Sequence, residues 1–351
     1  MNSDYFSMDY SALDAQVKEL FPEGNLPSFS ELIRQFSTGE IAFSELVSGF
    51  FQAGSKELFY GFYGVRELLL IALAAAVFHL LSGVGKQGQA AKTGFFVAYL
   101  LMTAGVFRIF SDSREIVSEA LTMLIDFMKV FLPVCFTGIS LSSGGLCAAM
   151  FYRVSMLGIF VVSVIMRNII LPAIGLYFLL SVLNRVLEED FLSGLAGLFY
   201  SAAEHLLKLS VGAVLGIGAI QGMLAPAADA VKRSAIIKTA GSIPVVGDLL
   251  SGTTQTVLAA GILLKNAIGV GGAVVIFFLC LFPLFRVGIA NLSLRCGAAL
   301  LQPVSDKRMV DCLGIAAKTH GLLIKLLLYT MLLFMLTLLF LLFMTGNRGG
   351  M

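Results

Sequence analysis

The chain has 351 residues, 58% of them hydrophobic and 13% charged, with a mean hydropathy of +0.91. Soluble domains carry about 25% charged and 45–50% apolar residues, so an ordinary soluble domain is excluded and an all-α polytopic membrane protein is expected. The net charge of +2 is too small to point to nucleic acid.

Residues 1–60 hold nine acids and three bases, so an acidic head precedes a basic body. The opening MNSDYFSMDY has no apolar signal-peptide core. Either a signal has been removed or the chain enters the membrane through its first span. Residues 28–60 read as two amphipathic helices separated at Gly39, with Ser28 or Ser30 capping the first. Leu32, Ile33 and Phe36 line one face of the first; Phe43, Leu46, Val47 and Phe50 line one face of the second. They either lie on the membrane, pack on the bundle or dock a partner. The expected organisation is an exported acidic region over 1–60, a transmembrane domain over 61–345 and a short tail over 346–351.

A hydrocarbon core of about 30 Å needs roughly 20 apolar residues of helix. Clear candidates are 65–83, 94–110, 146–166, 169–187, 207–225, 273–292 and 322–344. Residues 121–141 carry Asp126, Lys129 and Pro133, and 255–272 carry Lys265 before a glycine-rich end; both are ambiguous. Two stretches parallel each other. Each has a span, a polar stretch, Pro-Val in a Gly/Ser-rich break (132–145 with Pro133; 243–254 with Pro244, Gly247 and Asp248), then an apolar run closed by base–Asn. Those closing pairs are Arg167–Asn168 and Lys265–Asn266. The expectation is a 3+3 inverted repeat over 94–187 and 207–292 with re-entrant breaks, giving about eight transmembrane helices. Chance similarity of two apolar stretches is the competing account.

Cytoplasmic loops are enriched in Lys and Arg. With residues 1–60 outside, the inside segments 84–93, the turn at Arg167, 226–254 and 295–321 hold ten bases. The outside segments 111–145, 188–206 and a glycine turn at 269–272 hold two. This tally favours an exported N-terminus.

Gly83 to Gly88, GVGKQG, matches a dinucleotide-binding spacing but follows an apolar helix without a strand, so a turn is the better reading. No phosphate-binding loop with Gly-Lys-Ser/Thr is present. The cysteines and the histidines His79, His205 and His320 lack ligand spacing. No catalytic triad or zinc motif is found, so no enzyme activity, metal or cofactor is expected. Gly212-x-x-x-Gly216 and Gly218-x-x-x-Gly222 permit close helix approach, within the bundle or between copies in a homo-oligomer. Arg153, Lys208, Lys265 and Arg286 fall in or near apolar runs. Lys208 can snorkel; the others either line a conduit or form internal pairs. Asp229, Lys232 and Arg233 share a helix face that reads as solvated surface.

The run GIGAIQG with Gln221, then PAADAVKRSAIIKTA with Asp229, IPVVGDLLSGTTQTV and LLKNAIGVGG with Gly269 resembles the stage III sporulation protein AE family. The resemblance extends more loosely over 28–340, including Gly39–Glu40 and Gln302–Pro303. It implies a multi-pass component of a secretion-like channel in the mother-cell-derived outer forespore membrane, permease- or export-gate-like. The implied partners are the other stage III sporulation A-operon proteins, namely a secretion-type ATPase and membrane and ring-forming components. A forespore protein would meet them across the intermembrane space. The expected site is a conduit lined by Pro133, Arg167, Asn168, Gln221, Asp229, Pro244, Gly247, Asp248, Lys265, Asn266 and Gly269. The alternatives are a structural scaffold and an autonomous secondary transporter.

Overall fold

The computed structural model describes residues 10–20, 28–38, isolated positions between 66 and 77, 88–143, 145–187, 191–240, 247–303 and 305–346. Side chains are described for these residues apart from 19–20, 36–38, 88–92, 137–151, 217–266 and 341–346. Among the described residues there is no strand. Two short helices, α1 (Ser11–Leu20) and α2 (Phe29–Thr38), precede long ones. These are α3 (Gly88–Ser143), α4 (Gly145–Ser163), a π-helical segment (Val164–Ile170), α5 (Leu171–Val186), α6 (Ser193–Ala240), α7 (Gly247–Leu301) and α8 (Lys307–Gly346).

Helix directions follow from side-chain contacts. Phe136 meets Tyr152 and Phe110 meets Phe178, so α4–α5 folds back along α3. Tyr177 meets Tyr200, turning α6 back along α5. Tyr200 and Glu204 of α6 meet Lys318 and Lys325 of α8, so those two run parallel. Asn291 lies beside Gly321, which sets α7 antiparallel to α8. Thus α3, α6 and α8 point one way and α4–α5 and α7 the other. Among the described residues five segments are long and apolar enough to cross a membrane: Thr93–Phe136, Tyr152–Val186, Ser193–Gly216, Ala267–Leu301 and Lys307–Phe340.

Several expected boundaries are absent, each for a physical reason. Of the break expected at 132–145, residues 132–143 are helix, with Pro133 inside α3. A proline removes one backbone bond and bends a helix, and neighbouring helices make this tolerable. The turn at Arg167–Asn168 is also absent, so the expected spans 146–166 and 169–187 form one continuous path. Pro172, at the start of α5, cannot bond the residue 168 carbonyl and its ring crowds it. The chain widens instead, and the Leu171 N–H donates to the Met166 carbonyl five residues back. The glycines at 269–272 lie inside α7 and form no turn. The count of eight rested on those turns. The span at 65–83 lies largely outside the described residues; of the break expected at 243–254, residues 243–246 lie outside them and 247–254 are helix, at the start of α7.

The helix directions also regroup the charges. Arg185, at the end of α5, pairs with Asp311 near the start of α8 at 3.5 Å. The loops after α5 and α7 therefore share one end of the bundle. Segments 188–206 and 295–321 were expected on opposite sides, and 226–254, expected beside 295–321, belongs to the far end of α6. The ten-to-two tally of bases no longer separates the two ends, because it was built on turns that are not there.

At the other end α1 and α2 dock on α3 and α7. Tyr10, Leu13 and Val17 recur at helical spacing and are buried. This helix was not anticipated, because the polar opening hid a three-residue apolar face. Leu32 and Ile33 of α2 are buried as expected, together with Phe29, while the side chain of Phe36 lies outside the described residues; Ser28 caps the helix by accepting from the Glu31 N–H at 3.3 Å. Asp14 of α1 accepts from the Ser30 N–H at 2.8 Å, placing a carboxylate at the N-terminus of α2. Replacing Asp14 by Ala should cost about 1 kcal/mol and loosen α2, read as faster amide exchange over 29–38 with exchange over α8 unchanged. Burial pushes the Tyr10 phenol up to about 12, so it stays neutral at physiological pH. The second amphipathic helix, around 43–50, lies outside the described residues.

Glycine sets the close approach of α7. The Phe131 ring of α3 is fully buried, stacked on Phe127 at 5.3 Å and edge-on to Phe29 at 5.9 Å. A Cβ on Gly272 would fall on that ring, 2.5 Å from Cε2 and 3.0 Å from Cε1. A Cβ on Gly271 would approach Phe29 Cε2 at 3.3 Å. The glycine-rich run that looked like a loop is a helix face that receives aromatic rings.

Candidate functional site

The expected conduit residues divide three ways. Pro133 in α3 is exposed, as are Arg167 and Asn168 in the π-helical segment, while Gly269 in α7 is buried. The wider π turn explains why 167, 168 and 169 are exposed in succession. Gln221 and Asp229 lie on the backbone of α6, and Gly247, Asp248, Lys265 and Asn266 on that of α7. Their side chains, and Pro244 altogether, are outside the described residues. No described contact brings these positions together.

A different set of polar groups does converge, toward the starts of α6 and α8 and the end of α7. At its centre His320 of α8 is fully buried. Its Nδ1 is 2.8 Å from the Ala316 carbonyl and its Nε2 is 2.9 Å from Ser113 Oγ of α3. A carbonyl only accepts, so Nδ1 carries the proton and Nε2 accepts from the serine hydroxyl. Phe110 lies edge-on to the imidazole at 6.3 Å and stacks on Phe178 of α5 at 4.1 Å. Asn291 of α7, also buried, completes the section beside Gly321.

The same level carries charge on its outer side. Lys325 of α8 pairs with Glu204 of α6, and the Tyr200 hydroxyl donates to the same carboxylate at 3.3 Å. Lys318 sits 4.1 Å from the Tyr200 ring centroid and 5.8 Å from that of Tyr177. A cation over a tyrosine face is held by the ring quadrupole. Around the circumference Arg108, Asp112, Glu115 and Glu119 of α3 and Arg286 of α7 are exposed near this height. The result is a polar section with an apolar stretch on either side.

Sequence reasoning missed this section. Glu204 and Lys318 had been assigned to loops, and His320 was set aside for lack of a ligand partner. The usable signals were Glu204 and Lys208 four apart, and Lys318 and Lys325 seven apart, each on one face of an apolar helix. The link from His320 to Ser113 spans 207 positions of chain and left no local signal.

The model of the family described as "Stage III sporulation protein AE" matches residues 27–345. The chain belongs to that family. It is similar to the stage III sporulation protein AE of Bacillus subtilis (strain 168), with 25% identity over 303 residues, covering 86% of this chain and 75% of the relative. No solved structure matches it. Family membership and the five apolar segments together make it a sporulation-family protein of the membrane-spanning class.

Proposed function

We propose that this member of the stage III sporulation protein AE family is a non-enzymatic membrane component of a sporulation complex linking mother cell and forespore, with a gate-like role in transport. The observation that supports it is the polar section: His320–Ser113, Glu204–Lys325 and Lys318 on Tyr200 inside segments otherwise apolar enough to span a bilayer. Ionisable groups at such positions are costly unless paired or facing water, and they commonly mark pathways. The partners in this reading are the other A-operon proteins (a secretion-type ATPase, membrane and ring-forming components) and a forespore protein across the intermembrane space. The site of action would be the mother-cell-derived outer forespore membrane.

The test replaces Glu204 by Gln and Lys325 by Met, singly and together, in a spore-forming host lacking its own copy. Heat-resistant spores should fall sharply in each single variant at normal membrane abundance, because each leaves the remaining charge without its partner. Wild-type spore counts in both would remove the gate reading. A scaffold reading is favoured by the docked α1 and α2. It predicts that deleting residues 10–38 abolishes sporulation while the Glu204 and Lys325 variants stay silent.

A further inference from the structure

The outer side of α6 and α8 changes character along its length, at the same height on both helices. On α8 the exposed positions run Lys318, Lys325, then Leu328, Leu332 and Leu339. On α6 they run past Glu204 to Lys208, then Leu209, Gly212 and Leu215. The helices are parallel and tied by Lys325–Glu204; beyond that pair, toward their C-terminal ends, both outer faces are apolar, while on its other side α6 also exposes Leu195 and Leu198. The leucines are well exposed, Leu209 at 67% and Leu332 at 44%. A Cβ on Gly212 or Gly216 would meet nothing within 4 Å among the described atoms, so the α6 side of this face is open.

The charged end is unbalanced. Among the described residues Lys318, Lys325 and Lys208 face one carboxylate, Glu204, and Lys318 rests on tyrosine rings with no acid in contact. Tyrosine and lysine together, followed by bare leucine, form the pattern of a membrane–water boundary. A diffusible anion would use the lysines and ignore the leucines. A diacyl lipid uses both: its phosphate meets the excess positive charge, and its chains lie along the leucine and glycine surface beyond.

We propose that the α6–α8 face is a binding site for an acidic phospholipid, with the phosphate of the headgroup held by Lys318 and Lys208 beside Tyr200. Its acyl chains then run along Leu209, Gly212 and Leu215 on one side and Leu328 and Leu332 on the other. Lys325 stays on Glu204 and contributes at longer range. The site lies on the rim of the polar section, so its occupancy is independent of whether the section conducts anything.

The test uses the full-length protein in a neutral detergent. Phosphatidylglycerol, phosphatidylcholine, glycerol phosphate and inorganic phosphate are titrated separately, with bound-lipid stoichiometry read by native mass spectrometry and the melting temperature followed in parallel. Phosphatidylglycerol should bind saturably and raise the melting temperature, while the other three do neither. Replacing Lys318 and Lys208 together by Ala should weaken that binding roughly thirtyfold, the combined effect of two headgroup-facing lysines, and replacing both by Arg should preserve it. Equal protection by phosphatidylcholine, or equal protection by inorganic phosphate, would overturn the lipid assignment. So would unchanged binding in the Ala variant. The melting temperature of the lipid-free Arg variant, matched to wild type, shows that a loss in the Ala variant is not misfolding.

Discussion

Replacing Gly272 by Ala is expected to destabilise the protein by about 1–3 kcal/mol, more than one methyl group would cost at an open position. The added carbon falls on the Phe131 ring, and that ring has no free direction in which to move. Phe127 stacks on it, Phe29 presses on it edge-on, and all three rings are fully buried. The strain should therefore spread to α2, which enters this packing through Phe29. The measurement is the thermal midpoint in detergent together with amide exchange over α2 and α7. Phe131→Leu in the same chain should recover part of the loss, because the smaller side chain vacates the space the methyl group needs. A double variant no better than Gly272→Ala alone would show that the close approach of α3 and α7 is not what makes glycine necessary. By contrast, Ala at Gly212, where a Cβ meets nothing described, should be tolerated.

The second large effect is expected at His320. Replacing it by Phe keeps an aromatic ring, somewhat larger than imidazole, but strands the Ser113 hydroxyl, at about 1–3 kcal/mol for a buried polar group left without its partner. Ser113→Ala should cost less, since the imidazole keeps its Nδ1 bond to Ala316. The double variant His320→Phe with Ser113→Ala should be more stable than the two single losses added together, because neither group is then stranded. Strict additivity in a double-mutant cycle would show that the 2.9 Å contact carries no coupling. Spore counts from the same variants separate roles. A stabilised double variant that still fails to sporulate places His320 in the polar section's function as well as in its packing.

Much of the fold was legible because apolar length is a local property. The runs 94–110 and 273–292 fall within a described membrane-length segment, and 169–187 and 322–344 fall mostly within one. The capping serine at 28 and the buried face of Leu32 and Ile33 were legible for the same reason, since caps and helical spacing act within a turn. The connections were not. Pro133, the Arg167–Asn168 pair and the glycines at 269–272 all read as punctuation, and each is helical. Glycine weakens a helix by about 1 kcal/mol and proline by about 3 kcal/mol, and packing against neighbouring rods offsets that here. The sequence-level rule therefore reports a cost without showing what offsets it.

Composition and apolar length by themselves pointed to a helical membrane protein, and one run between Gly216 and Gly272 carried the family resemblance that the match over 27–345 bears out. Those are sums over short windows, and each window carries its own signal. Which helices run parallel, which loops share an end and which polar side chains meet were decided only by the tertiary structure. Ser113 reaches His320 and Glu204 reaches Lys325 across gaps of 207 and 121 residues. A partner that far along the chain imposes no spacing on its counterpart. The physical requirement that a buried or membrane-depth polar group find a partner is strict, but it does not say where in the chain that partner lies.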